Sequence, residues 1–285
     1  MRTSYNRRRA EKNDSTQLLD LISSSPRLHR HLDWRPPVEW LGSHPFWLVE
    51  EERKIHAALA IPPDPGNIFW VRLFACSAVV NPIEMWDELF SSCLTDPELG
   101  PEAIIPSLAL SDWYSLILRR SGFELHQSIV GLEREVHAEI TAKTPTPELF
   151  IRLMEPDDLV QVTSIDQQAF EPIWQNSAEQ VKESFEQAAI ATVAELGDEI
   201  VGYQITTINM FTAHLARLAV KPGCQNKHIG RNILLDLFKR CKDERLWQIT
   251  VNTQDNNHAS LALYQRTGFH LSGDEFPVYL YRKKN

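Results

Sequence analysis

Cysteine is scarce in this chain, and the cysteines present have no spacing of interest. Four of them (Cys76, Cys93, Cys224 and Cys241) occur among 285 residues, with no C-x-x-C and no paired histidines nearby. Neither a disulfide framework nor a zinc site is expected, no metal is assigned, and a reducing cytoplasmic setting fits best. Long apolar runs are missing as well. None approaches the roughly 18–20 residues that a membrane span needs, so no membrane partner is expected. Positive charge is not in excess: 29 Lys and Arg stand against 38 Asp and Glu, a net charge of −9. That balance argues against nucleic acid as a main partner. The opening MRTSYNRRRAEKND has no apolar stretch behind its basic residues, so it does not read as a secretory signal. Residues 1–14 are expected to form a disordered tail.

What is present reads as one pattern written twice. The segment AKTPTPE, with Pro145 and Pro147, marks a linker at 141–147 between a domain at 15–140 and a domain at 148–285. FWLVEE followed by KIHAALAI, and IATVAEL followed by EIVGYQI, read as β-hairpins. WVRLFACSAV and LARLAVKPG are apolar strands, each holding an Arg-Leu pair and each followed by an amphipathic helix. YSLILRRSGF and SLALYQRTGF close the halves alike, with Gly suited to a left-handed helix end and Phe re-entering a strand. The period is about 145 residues. The fold class expected is α/β (α+β): two units, each a mixed, mostly antiparallel sheet flanked by helices. In the second half, Pro156 with Asp157 and Asp158 opens a helix, and Asn176 or Ser177 caps the next.

One helix start stands out. Ile229, Ile233, Leu234, Leu237, Phe238 and Cys241 form one apolar helical face. The loop before it offers no Asp or Glu; it holds Gln225, Asn226, Lys227 and His228. First-turn amides without intrahelical partners, a positive dipole end and a cationic flank together attract an anion. Gly230 removes a Cβ from the approach. The spacing is neither a Walker loop nor a dinucleotide fingerprint. The first half reads VVNPIEMWDELF at the matching place. There Pro82 lacks an N–H, and Glu84, Asp87 and Glu88 would repel a phosphate.

With these residues and VNTQDNNHASLALYQRTGF in view, residues 148–285 resemble the GNAT superfamily of acetyl-CoA-dependent N-acetyltransferases. Within that family they look most like the branch acetylating protein N-termini or small amines. The first half looks like a degenerate copy. The family's diphosphate loop is Gln/Arg-x-x-Gly-x-Gly/Ala; Gln225 and Gly230 match, and His228 replaces the middle Gly. The resemblance implies acetyl-CoA as acyl donor. It assigns the loop residues Gln225, Asn226, Lys227, His228, Ile229, Gly230 and Arg231 to the diphosphate, and Leu218 and Val220 on a splayed strand to the pantetheine. Asn257 would bond the pantetheine or cap its helix. Tyr264 is implied as the acid that protonates the leaving thiolate; Leu118 holds its place in the first half.

The branch's basic Glu is replaced by Asn252, which leaves Glu195, His214 or a water chain as candidate bases. Phe170, Trp174 and Tyr279 are candidates for an acceptor pocket. The expected reaction is acetyl transfer to a small-molecule or peptide amine by direct attack in a ternary complex. A non-catalytic acyl-CoA-binding or protein-interaction module and a nucleotide-binding protein are the alternatives. The acceptor and the oligomeric state stay open.

Overall fold

A computed structural model describes residues 5–138 and 148–283; the expected linker at 141–147 lies outside them. The chain divides into two compact units, Met1–His126 with Phe276–Asn285, and Gln127–Glu275. Both are sheets flanked by helices, as the hydrophobic periodicities require.

The first unit begins in the segment expected to be a tail. Its first four residues lie outside the described ones, but Asn6–Arg9 (β1) pairs antiparallel with Phe46–Glu51 (β3). What orders it is polar. The Arg8 guanidinium forks onto Asp14 at 2.7 and 2.8 Å and bonds Glu50 at 2.9 Å. Helix α1 (Ser15–Ser24) follows, then β2 (Arg27–Arg30), β3, and β4 (Lys54–Ala60). Next come β5 (Leu73–Cys76), α2 (Pro82–Leu94), β6 (Ile104–Leu108) and α3 (Asp112–Arg120). One sheet has the order β1-β3-β4-β5-β2. Trp86, Phe90, Tyr114 and Phe123 fill an aromatic core against one of its faces.

Strand β7 (Glu124–Glu135) leads into the second unit, where β8 (Leu149–Leu153), α4 (Leu159–Ala169), α5 (Ala178–Glu186) and β9 (Ile190–Leu196) follow. Then come β10 (Glu199–Asn209), β11 (Thr212–Val220), α6 (Ile229–Asp243), β12 (Gln248–Gln254), α7 (His258–Arg266) and β13 (His270–Arg282). The sheet runs β7-β12-β11-β10-β9-β8, with only β11–β12 parallel. Residues 129–135 of β7, which precede the expected linker, pair with β12 in this unit. Residues 278–282 of β13 pair with β6 in the first unit. Each unit therefore takes a strand from the opposite side of the expected linker.

The duplication is visible atom by atom. Arg152 forks onto Asp158 at 2.7 and 2.8 Å and bonds Glu195 at 2.9 Å, repeating Arg8, Asp14 and Glu50. In both units a backbone N–H (Glu11, Glu155) donates 2.7 Å to the same acid, closing a capping box before the helix. The Arg152 bond holds the Asp158 carboxyl below its ordinary pKa, as Arg8 does for Asp14. The Gly-Phe endings match as well. Gly122 and Gly268 are left-handed at φ 84° and 91°, and the amides of Phe123 and Phe269 donate back to Leu118 and Tyr264. Ser177 rather than Asn176 caps α5, in a capping box with Gln180.

Candidate active site

The second sheet opens along one line. Strands β11 and β12 pair only from Thr212–Gln248 to Leu215–Val251. On β11's other side, Leu215 faces Thr206 and Arg217 faces Ile205, so Ala216 is an extra, bulged residue. The bulge bends β11 where its contact with β12 ends. Among the described residues no strand pairs with that edge from Ala216 to Val220. This is the splay that the resemblance requires.

At the end of the splay the chain turns into α6. Pro222–Cys224 make one 3-10 turn, and Asn226 and His228 are both left-handed at φ 61°. His228 is an exposed residue in a left-handed conformation that glycine adopts at no steric cost, at the place where the family's loop has its middle Gly. It leaves α6 without a side-chain cap, and no acid stands in the first turn. The first helical bond runs from the Asn232 amide to the His228 carbonyl at 3.0 Å, so the preceding amides lie outside the helical ladder. Gln225 donates to the Val220 carbonyl at 3.1 Å, fastening loop to strand. Lys227 is exposed, and Ile229 is buried in the core. Arg231 is half-buried in the first turn. Gly230 has a packing reason besides the expected one: a Cβ there would come within 3.2 Å of Leu263 and near Val220 and Leu218. The helix start, the splayed strand and α7 therefore converge on residue 230.

Helix α7 carries Tyr264. The residue is 5% exposed, and its ring packs edge-on to Phe269 at 5.5 Å. Its hydroxyl has no protein hydrogen-bond partner among the described residues, and it is not among the polar atoms sealed from solvent without one. Burial pushes the phenol's pKa up, so it stays protonated and able to donate. Asn257 caps α7, accepting from the Ser260 amide at 3.1 Å while its own amide group reaches Gln254 at 3.3 Å. The candidate bases fare differently. Glu195 is committed to Arg152. His214 bonds the Thr250 hydroxyl at 2.9 Å, and burial lowers its pKa. Asn252 is exposed. Tyr279 belongs to the core of the first unit, apart from Phe170 and Trp174 in chain unit and packing.

The equivalent edge in the first unit is occupied. Backbone at 69–71 pairs in parallel with residues 104–106 and then parts from it, as β11 parts from β12. From there β2 lies along β5, pairing Arg30 with Leu73 through to Arg27 with Cys76. The following helix α2 is capped: the Asn81 side chain accepts from the amides of Ile83 and Glu84, and Pro82 has none to offer. Leu118, at the place of Tyr264, is fully buried.

Sequence reasoning missed one cluster. Asp166 on α4 is fully buried, and its carboxylate takes four hydrogen bonds. Arg217 on β11 supplies two, at 2.7 and 2.9 Å, and the Tyr203 hydroxyl and the Asn176 amide supply the others. Arg217 also donates to the Trp174 carbonyl and lies 3.6 Å over the Phe170 ring. The loop at 170–177 is thus bolted to β11 one residue past the bulge. The Arg-Leu repeat pointed at Arg217; nothing in the spacing pointed at Asp166, 51 positions away. In the first unit Arg72, at Arg217's place, is matched by Asp33 and Asp64 instead.

Comparison with known proteins bears on the fold and the family. Residues 159–269 match the model of the Acetyltransferase (GNAT) family. A Bacillus subtilis spore coat polysaccharide biosynthesis protein, SpsD, is 32% identical over 29% of this chain and 28% of its own. An uncharacterized N-acetyltransferase of the same organism, YvbK, is 29% identical over 30% of this chain and 55% of its own. The chain therefore aligns with only about a quarter to a half of those relatives. A putative ribosomal protein bS18-alanine N-acetyltransferase of Bacillus subtilis is 22% identical over 43% of the chain and 82% of its own. Among solved structures, a tandem GNAT protein from the clavulanic acid biosynthesis pathway superposes with a TM-score of 0.64 at 14% identity, covering 99% of both chains. A GCN5-related N-acetyltransferase from Sphaerobacter thermophilus gives 0.62 at 14%, covering 99% and 96%. Residues 159–269 of the second unit thus match the GNAT family model, in a chain that shares the fold of a tandem GNAT protein.

Proposed function

We propose that the second unit transfers an acetyl group from acetyl-CoA to a primary amine, by direct attack in a ternary complex. The observation that carries this reading is the contrast between two equivalent strand edges. The edge of β11 is unpaired past Leu215 and ends at an uncapped helix, whereas the edge of β5 is paired by β2 and ends at a capped one.

Loop residues 225–231 would receive the diphosphate, with first-turn amides donating and no carboxylate opposing. The edge at Leu218 and Val220 would take the peptide-like pantetheine as an added strand. Bound there, acetyl-CoA supplies an acyl thioester open to attack by a neutral amine. Tyr264 would protonate the departing sulfur; a phenol kept neutral by burial suits that task. Neither candidate position offers a free carboxylate for the proton shed by the amine, because Glu195 is paired with Arg152 and position 252 is Asn. A neutral amine must still lose one proton once it has attacked, and water would carry that proton away while solvent restores the one that Tyr264 gives the sulfur.

Calorimetry with acetyl-CoA tests the site and is expected to give one binding event per chain; none, or two, overturns it. Release of CoA thiol across a panel of amines tests the transfer. The exposed Asn252 favours a second reading, a non-catalytic acyl-CoA-binding module. Binding without thiol release on any amine, unaltered in Tyr264→Phe, would select it.

A further inference from the structure

The donor side and the acceptor side of the splay can be told apart by which face of β11 each residue serves. Leu218 and Val220 turn toward Gly230 on α6, the side assigned above to the coenzyme. Arg217, between bulge and edge, turns the other way, to Asp166 on α4 and to the loop at 170–177. An acceptor reaching a thioester held on the α6 side has that second wall to rest on. Arg217 is well placed to read it. Its Nε and one terminal nitrogen, Nη2, are used by Asp166 and the Trp174 carbonyl, and Phe170 covers a face of the guanidinium. Tyr203 also stands against the guanidinium; the hydrogen bonds to Asp166 and Trp174 leave Nη1 unused, and the side chain keeps 16% of its surface exposed.

We propose that Arg217 is a specificity-determining residue of the acceptor site, its Nη1 donating to an uncharged oxygen borne close to the attacking amine. The oxygen is uncharged because the guanidinium's charge is already matched by Asp166, and a second carboxylate would be brought up against that acid. Four hydrogen bonds hold Asp166 and three hold Arg217, so the donor is fixed before any acceptor arrives. The proposal rests on the acetyl-transfer reading.

The test compares glycinamide, propylamine and glycine as acceptors for the whole chain and for Arg217→Lys. Taking the variant-to-parent ratio for each amine cancels the difference in amine basicity. The expected result is a loss of kcat/KM for glycinamide of about ten- to a hundredfold, carried mainly by KM, with propylamine changed by less than about twofold. In the parent, glycine is expected to be poorer than glycinamide. An equal loss for glycinamide and propylamine, or no loss, overturns the proposal. Should Arg217→Lys fail to fold by thermal melting, Phe170→Leu is expected to show the same selective loss, only smaller. Failure of the acetyl-transfer reading is seen separately, as no thiol release with propylamine in the parent. In that case ligand-observed NMR on CoA-loaded protein decides: glycinamide bound by the parent and not by Arg217→Lys supports the assignment, and equal or absent binding overturns it.

Discussion

Two strand edges descend from one ancestral pattern and have opposite fates. In each unit a parallel contact ends abruptly, at Val71 and at Leu215, and an Arg follows within two positions, Arg72 and Arg217. In the first unit β2 lies along the freed edge, Asn81 takes the helix amides, and Leu118 stands where the second unit has Tyr264. In the second unit the edge is left unpaired and the helix uncapped. Three local substitutions of function thus sit on an unchanged frame: the Arg8–Asp14–Glu50 and Arg152–Asp158–Glu195 clusters agree to within about a tenth of an ångström. A duplicated unit keeps what holds it together and closes what it does not use.

Four experiments would break or sharpen that contrast. The largest effect is expected from Tyr264→Phe, which removes the hydroxyl that Leu118 lacks at the matching place in the first unit. Acetyl transfer should fall about a hundred- to ten-thousandfold, with coenzyme affinity unchanged by calorimetry; a fall below tenfold denies Tyr264 its role. Next is Asp166→Ala, which strands the Arg217 charge in a site where the first unit uses Asp33 and Asp64. A loss of about 3–5 kcal/mol in urea unfolding is expected, and a loss below about 1 kcal/mol would show the pair to be dispensable.

A third experiment uses pH against the strand that closes the first unit. His29 on β2 is buried, stacked on Tyr114 at 4.1 Å and bonded to the Val71 carbonyl, and burial pushes its pKa down to about 4. A histidine whose folded pKa lies below its unfolded value stabilises fully above the unfolded pKa of about 6.5 and loses that contribution as pH falls toward 4. The ceiling is about 3 kcal/mol. Urea unfolding at pH 7 and pH 5 should show part of this loss, and His29→Gln should flatten it; an unaltered slope in the variant would rule His29 out as its source. The smallest effect belongs to His228→Gly, which removes a left-handed non-glycine residue. A gain of up to about 1 kcal/mol is expected, with coenzyme binding retained; lost binding would give the imidazole a direct part in holding the diphosphate.

The frame was legible because it rests on local signals. Hairpin turns, the Gly-Phe helix ends, the apolar face of α6 and the polar loop before it are short-range patterns, and each formed where the residues placed it. The splay was legible only through the family resemblance, since the bulge at Ala216 has no signature of its own. The opening segment was misread because RRRAEKND looks like solvated charge until it is aligned with IRLMEPDD, whose Arg and Asp hold the same spacing. Charge composition cannot tell a tail from a strand whose guanidinium has a carboxylate waiting. Asp166, β2 and the strand exchange were out of reach for another reason. Each is a long-range pairing, and a single sequence carries no mark of which distant residues meet.

The pairing of residues 278–282 with Ile104–Leu108 has a consequence during synthesis. A ribosome completes every residue of the second unit before it releases the segment that finishes the first. The nascent first unit waits with the side of β6 that will receive that segment uncovered, while the unit made later already has all its strands. The unit that begins first is the last to mature, and a chain interrupted after Glu275 would spoil it while sparing the residues proposed for acetyl transfer.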